Sequence, residues 1–108
     1  DHLLANLWLG LEPRFEPFLS QITIADKGNT VNYISSGNHV IEKIPSMKYL
    51  AFCCLTPVNK LTLKNVKYEL DVVDFLQPTS LASNEFLTGN AEVSFSTGLI
   101  AVIQSKDI

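Results

Sequence analysis

From residue 21 onward the apolar residues recur at every second position, and that period decides what the chain can fold into. Ile22 and Ile24 alternate with polar neighbours, then Asp26-Lys27-Gly28-Asn29 supplies a turn, and Val31 and Tyr33 resume the alternation. Period-two patterning puts one face of a strand in a core, and two such runs around a short polar turn read as a β-hairpin. Ser35-Ser36-Gly37 reads as the next turn, and residues 39–44 as a third strand closed by Pro45.

The second half continues in the same way. Residues 49–55 are uninterruptedly apolar, and seven residues suit a strand covered on both faces better than a helix. Leu61 and Leu63 then occupy odd positions, whereas Val66, Tyr68, Leu70 and Val72 occupy even ones. Such a flip at Lys64-Asn65 requires a turn or a β-bulge, and Val73 and Phe75 flip the parity back. Residues 77–90 form the longest connection, in which Ser80 would cap a short helix carrying Leu81, Phe86 and Leu87, ended by Gly89. Ala91, Val93 and Phe95 form another alternating strand, Thr97-Gly98 a turn or bulge, and residues 99–103 a last apolar strand. Seven to eight short strands about ten residues apart predict a mainly β domain, a β-sandwich or small barrel, with an α+β arrangement as the alternative. An OB-like barrel would hold the helix at 80–88 between strands, whereas the Cys…Trp…Cys pattern of immunoglobulin domains is absent.

The first residues carry a helical period. Leu3, Leu4, Leu7, Trp8 and Leu11 fall within an arc of about 140° on a helix over 1–11, capped by Asp1 and ended by Gly10 and Pro13. Leu9 lies outside that stripe, and Phe15 and Phe18 follow shortly after. A helix this short is marginal alone, so the stripe is expected to pack on the sheet. Trp8, Leu9, Phe15 and Phe18 are then the candidate interaction residues, available to another protein or a second copy.

The length of 108 residues fits one domain over 1–108, and a first residue of Asp suggests a processed product or an excised part. A net charge of −3 disfavours nucleic acid as a partner, and no apolar run is long enough for a membrane-spanning helix. Arg14 is the sole arginine against seven lysines and eight asparagines, a bias that hints at an AT-rich viral, phage or bacterial genome. Cys53 and Cys54 are adjacent and would point to opposite faces of a strand, so they read as free thiols, which leans towards a reducing compartment or a virion. Apolar surroundings would quiet both thiols, and His39 is the one further strong metal ligand beyond the terminal His2, too few for zinc.

His39 and Glu42 are three apart in a strand and face opposite sides. Lys67, Glu69 and Asp71 share one face opposite Tyr68, Leu70 and Val72, the pattern of a solvated sheet face, while Asp74 caps a turn or sits partly buried. Glycine-rich phosphate loops, nucleophile elbows and metalloprotease motifs are absent. The sequence therefore reads as a non-enzymatic interaction or assembly module within a larger protein or complex, with no catalytic, metal or cofactor residues. The alternatives are a small-molecule or lipid-binding barrel whose apolar faces line a cavity, and a thiol-dependent enzyme with a reactive cysteine near His39.

Overall fold

The computed structural model describes residues 23–26 and 28–106. The helix expected over 1–11 and the contact residues Trp8, Leu9, Phe15 and Phe18 lie outside them. Seven strands follow in order: β1 (Thr23–Ala25), β2 (Asn29–Ile41), β3 (Tyr49–Cys54), β4 (Val58–Lys64), β5 (Leu70–Phe75), β6 (Thr79–Glu85) and β7 (Ala91–Ser105). Every pairing among them is antiparallel. The fold is mainly β and sandwich-like, as the strand spacing predicts.

The hairpin expected around residue 26 is present. The Asp26 carboxylate accepts the backbone N–H groups of Gly28 and Asn29 at 3.0 and 2.9 Å, closing the turn between β1 and β2. That is the ordinary local bond by which an aspartate nucleates a turn.

Two long strands organise the rest. β2 runs 13 residues and β7 runs 15, and they pair along their whole lengths. On its other edge β7 pairs with β4 near its start and with β3 near its end. One layer is therefore β1-β2-β7-β3-β6, and the second branches off as β7-β4-β5. The pairing shifts at the bend, where Ser35 faces Leu99 but Gly37 faces Phe95. Ser35-Ser36-Gly37 is thus not the turn its composition suggests. It is polar because Ser35, Ser36, Gly37 and Asn38 are exposed where β2 passes between layers.

Gly98 lets the layers close at this bend. Its φ is +119°, and a Cβ there would lie 2.6 Å from the Pro57 carbonyl oxygen and 2.8 Å from Val58 Cγ2. Next to it the Leu55 N–H donates to the Leu99 carbonyl, and the Leu99 N–H donates to Thr56 Oγ1.

Between the layers Phe52, Leu50, Leu61, Leu63, Val58, Val93, Ile100 and Val102 form a packed core. A smaller cluster of Val31, Tyr33 and Ala101, with Cys53, Leu55, Leu99 and Ile103, lies on the opposite face of β2, β7 and β3. The apolar runs at 49–55 and 99–103 therefore contribute to both clusters. Buried Gln104 ties down the β2–β3 connection, its Oε1 accepting the Ile44 N–H and its Nε2 donating to the Glu42 carbonyl.

Two expectations fail in the second half. The helix over 80–88 is instead strand β6, and the charged face is not part of one strand. Lys67, Tyr68 and Glu69 belong to the loop between β4 and β5, and only Asp71 lies in β5. Tyr68 and Val72 are 58% and 60% exposed, so of the residues expected opposite the charges only Leu70 packs against the core.

Candidate functional site

The two layers meet again at the loop 65–69, and here the structure displays an aromatic ring on a fixed backbone. Just past β4, Asn65 lies in the left-handed region at φ 60°, the turn that the parity flip requires. Its side-chain amide donates to the carbonyls of Thr88 and Asn90, both at 2.7 Å, and its N–H donates to Glu69 Oε2 at 2.7 Å. Val66 turns inward, buried, and forms a bridge with Phe86. The Lys67 N–H then donates to the Glu85 carbonyl at 2.9 Å.

Tyr68 is gripped from both sides of its backbone. Its N–H donates to Asn84 Oδ1 at 3.0 Å, and its carbonyl accepts from Asn84 Nδ2 at 3.1 Å. Asn84 is 4% exposed, and its Oδ1 also accepts the Glu85 N–H. A buried amide must find partners, and this one spends its capacity on holding the loop. Its position depends on an irregular edge strand. Leu50 pairs with Asn84 but Phe52 with Leu81, so Ala82 and Ser83 both oppose Ala51 in a β-bulge, with Ser83 at φ 65°. Bulges of this kind re-aim side chains and recur beside binding sites.

Three charges meet beside this loop. Glu85 accepts an ion pair from Lys67 at 3.2 Å and another from Lys48 at 3.6 Å. The hydrogen bond from Lys67 holds the Glu85 carboxyl below its ordinary value, and the same bond raises the Lys67 ammonium. Lys67 Nζ also lies 5.4 Å from the centre of the Tyr68 ring, within cation–π range. The arrangement offers a flat ligand an aromatic face and offers a cationic ligand a carboxylate.

Away from this corner, a concavity runs across β2, β7 and β4. Residues paired across the strands, Asn38, Ser94 and Thr62 in one row and Val40, Glu92 and Lys64 in the next, line a groove of about 270 Å³. His39 and Glu42 border an adjoining groove of about 390 Å³ with Tyr33, Ile44 and Gln104. His39 Nε2 donates to the Ser35 carbonyl at 2.6 Å, and its ring lies 6.2 Å from that of Phe95. The histidine is thus occupied in fixing the β2 bend.

The other residues singled out in the sequence resolve as scaffold. Cys54 is buried in the main core, where burial, and secondarily Cys53, push its thiol up to about 11. Cys53 packs on the opposite cluster. Asp74 is exposed and accepts the Lys60 N–H at 2.8 Å, a link between β5 and β4. Among the described residues no group of three or more His, Cys, Asp or Glu could hold a metal ion. Sequence reasoning missed Tyr68, Asn84 and Glu85 as a candidate site. The aromatic flanked by charges in Lys67-Tyr68-Glu69 was visible, but its partner Asn84 lay within the misread helix.

Comparison with known proteins gives this geometry a context. Residues 38–100 match the family described as "Thiamin pyrophosphokinase, vitamin B1 binding domain". The thiamine pyrophosphokinase of Bacillus subtilis strain 168 is 30% identical over 112 aligned positions, covering 99% of this chain and 50% of that protein. Among solved structures, a thiamin pyrophosphokinase family protein from Enterococcus faecalis superposes with a TM-score of 0.93 at 54% identity, covering all of this chain and 51% of that one. The Bacillus subtilis thiamine pyrophosphokinase superposes with a TM-score of 0.81 at 28% identity, covering all of this chain and 50% of its own. The chain therefore spans about half the length of these relatives. These matches overturn the expectation of a non-enzymatic assembly module: the relatives are enzymes by name, and the matching family is a vitamin-binding part of such an enzyme. Acidic charge and missing motifs misled because one part of a larger enzyme need not carry a nucleophile or phosphate loop of its own.

Proposed function

The chain belongs to the thiamin pyrophosphokinase vitamin B1 binding domain family, and from that premise we propose that it holds thiamin at the Tyr68 corner within a thiamin pyrophosphokinase. Thiamin joins a flat aminopyrimidine to a thiazolium ring with a fixed positive charge. A flat cationic molecule is best received by an aromatic face with a carboxylate nearby, and Tyr68 and Glu85 supply that pair. The observation that carries the reading is the grip of Asn84 on both backbone groups of Tyr68, which fixes the backbone that presents a 58% exposed ring before any ligand arrives. Preorganisation of this kind reduces the entropy lost on binding. In this reading Tyr68 stacks on a ring of the vitamin and Glu85 balances its charge. Asn84 positions Tyr68 without touching ligand. Diphosphate transfer, the reaction in the relatives' name, is then a property of the whole protein, to which this chain contributes a positioned acceptor.

Hydrogen exchange of the full-length protein with and without thiamin tests the assignment. Added protection is expected at residues 67–69 and 83–85. Protection confined to the groove at Asn38, Thr62, Lys64 and Glu92 would move the site there and overturn the proposal.

A further inference from the structure

Lys67 touches both groups that a bound thiazolium would use. Its Nζ is 5.4 Å from the Tyr68 ring centre and 3.2 Å from Glu85 Oε2. The backbone bonds of Lys67 and Tyr68 to Glu85 and Asn84 fix both residues at the root, which keeps the ammonium within reach of the ring and the carboxylate. We propose that Lys67 is a specificity-determining cover on the site, a tethered cation that occupies the Tyr68 face and must be displaced by a cationic ligand. The inference rests on the reading of Tyr68 as the ring that receives thiamin.

The consequence is a selective cost. Two cations cannot share one aromatic face, because the attraction comes from a single ring quadrupole and like charges repel. A positively charged ligand therefore works against Lys67, whereas a neutral ligand of the same outline meets only a flexible side chain that can swing aside. The raised Lys67 proton affinity, caused first by its hydrogen bond to Glu85, keeps the cover charged at neutral pH. Lys48 provides an internal comparison. It pairs with the same carboxylate at 3.6 Å, but its Nζ lies 5.5 Å from the centre of the Tyr49 ring, not over Tyr68.

Calorimetry of the full-length protein with thiamin and with thiochrome, its neutral fused-ring oxidation product, decides the matter. Lys67→Met should bind thiamin about two- to five-fold more tightly, the range of one exposed cation–π contact, with thiochrome affinity unchanged. Lys67→Gln should reproduce this with a polar side chain, and Lys48→Met should leave both ligands within about two-fold of wild type. Weaker thiamin binding in Lys67→Met, an equal change for both ligands, or the same gain in Lys48→Met would overturn the cover. Tyr68→Leu separates the two failures. If it weakens thiamin binding while Lys67→Met changes nothing, the cover alone is wrong, and if it has no effect, the Tyr68 site falls and the cover with it.

Discussion

Replacing Asn84 by alanine removes the grip on the Tyr68 loop, and its cost follows from three bonds. The side chain accepts from the N–H groups of Tyr68 and Glu85, both at 3.0 Å, and donates to the Tyr68 carbonyl at 3.1 Å. Each such bond contributes about 1 kcal/mol net, so Asn84→Ala should destabilise the fold by roughly 3 kcal/mol. For a domain of this size that lowers Tm by about 12–24 °C. Asn84→Asp keeps an oxygen to accept both N–H groups but loses the donor, and turns a carboxylate towards the Tyr68 carbonyl. It should be intermediate at neutral pH and recover part of the loss in acid, where the protonated carboxyl can donate again. Thermal melts of the three proteins, with hydrogen exchange read at Tyr68, check both statements. A Tm within 3 °C of wild type for Asn84→Ala, with unchanged exchange at Tyr68, would refute the claim that this amide organises the loop.

Three further outcomes follow from the scaffold. Gly98→Ala should cost about 3–5 kcal/mol, because its Cβ would meet the Pro57 carbonyl at 2.6 Å in a backbone region that disfavours side chains. Gly37→Ala, with φ +128° but its nearest neighbour 4.0 Å away, should cost only the conformational part, about 1–3 kcal/mol, so equal melting temperatures for the two would contradict the close-approach argument. Cys54 should alkylate far more slowly than an unfolded thiol at pH 8, and rapid native-state labelling would contradict its core placement. Because its folded value is raised from 9.0 to about 11, the unfolded thiol ionises first and the Cys54 contribution to stability falls as pH climbs through that window. Urea titrations should show a flatter alkaline limb for Cys54→Ala.

The architecture was legible where burial alternates cleanly. Val31 and Tyr33, and Val93 and Phe95, gave strands, and the local Asp26 turn gave the hairpin, because each signal is contained in a few neighbouring residues. The errors fall where strands bend. At Ser35-Ser36-Gly37 a strand crosses between layers with its side chains in solvent, so its polarity mimics a turn. In β6 the bulge at Ala82-Ser83 breaks the period, and Ser80 and Gly89 then resemble helix ends. In the segment 66–72 the alternation of charged and apolar residues is real, but a loop held by Asn65 and Asn84 produces it as readily as a strand does. The site was hidden for the same reason. Asn84 and Tyr68 are joined only through a bulge and a loop, sixteen positions apart, and no local pattern encodes that contact.

The affinity of the full-length protein for thiamin before and after Tyr68→Ala tests the central claim most directly. Loss of one stacked ring with a cation above it is worth about 1–2 kcal/mol, so Tyr68→Ala should weaken binding roughly 5- to 30-fold. Tyr68→Phe, which keeps the ring face, should stay within about two-fold of wild type. Thiamin binding that is unchanged by Tyr68→Ala in a protein of normal Tm, or no thiamin binding by the wild type, would contradict the assignment of this corner as the vitamin site.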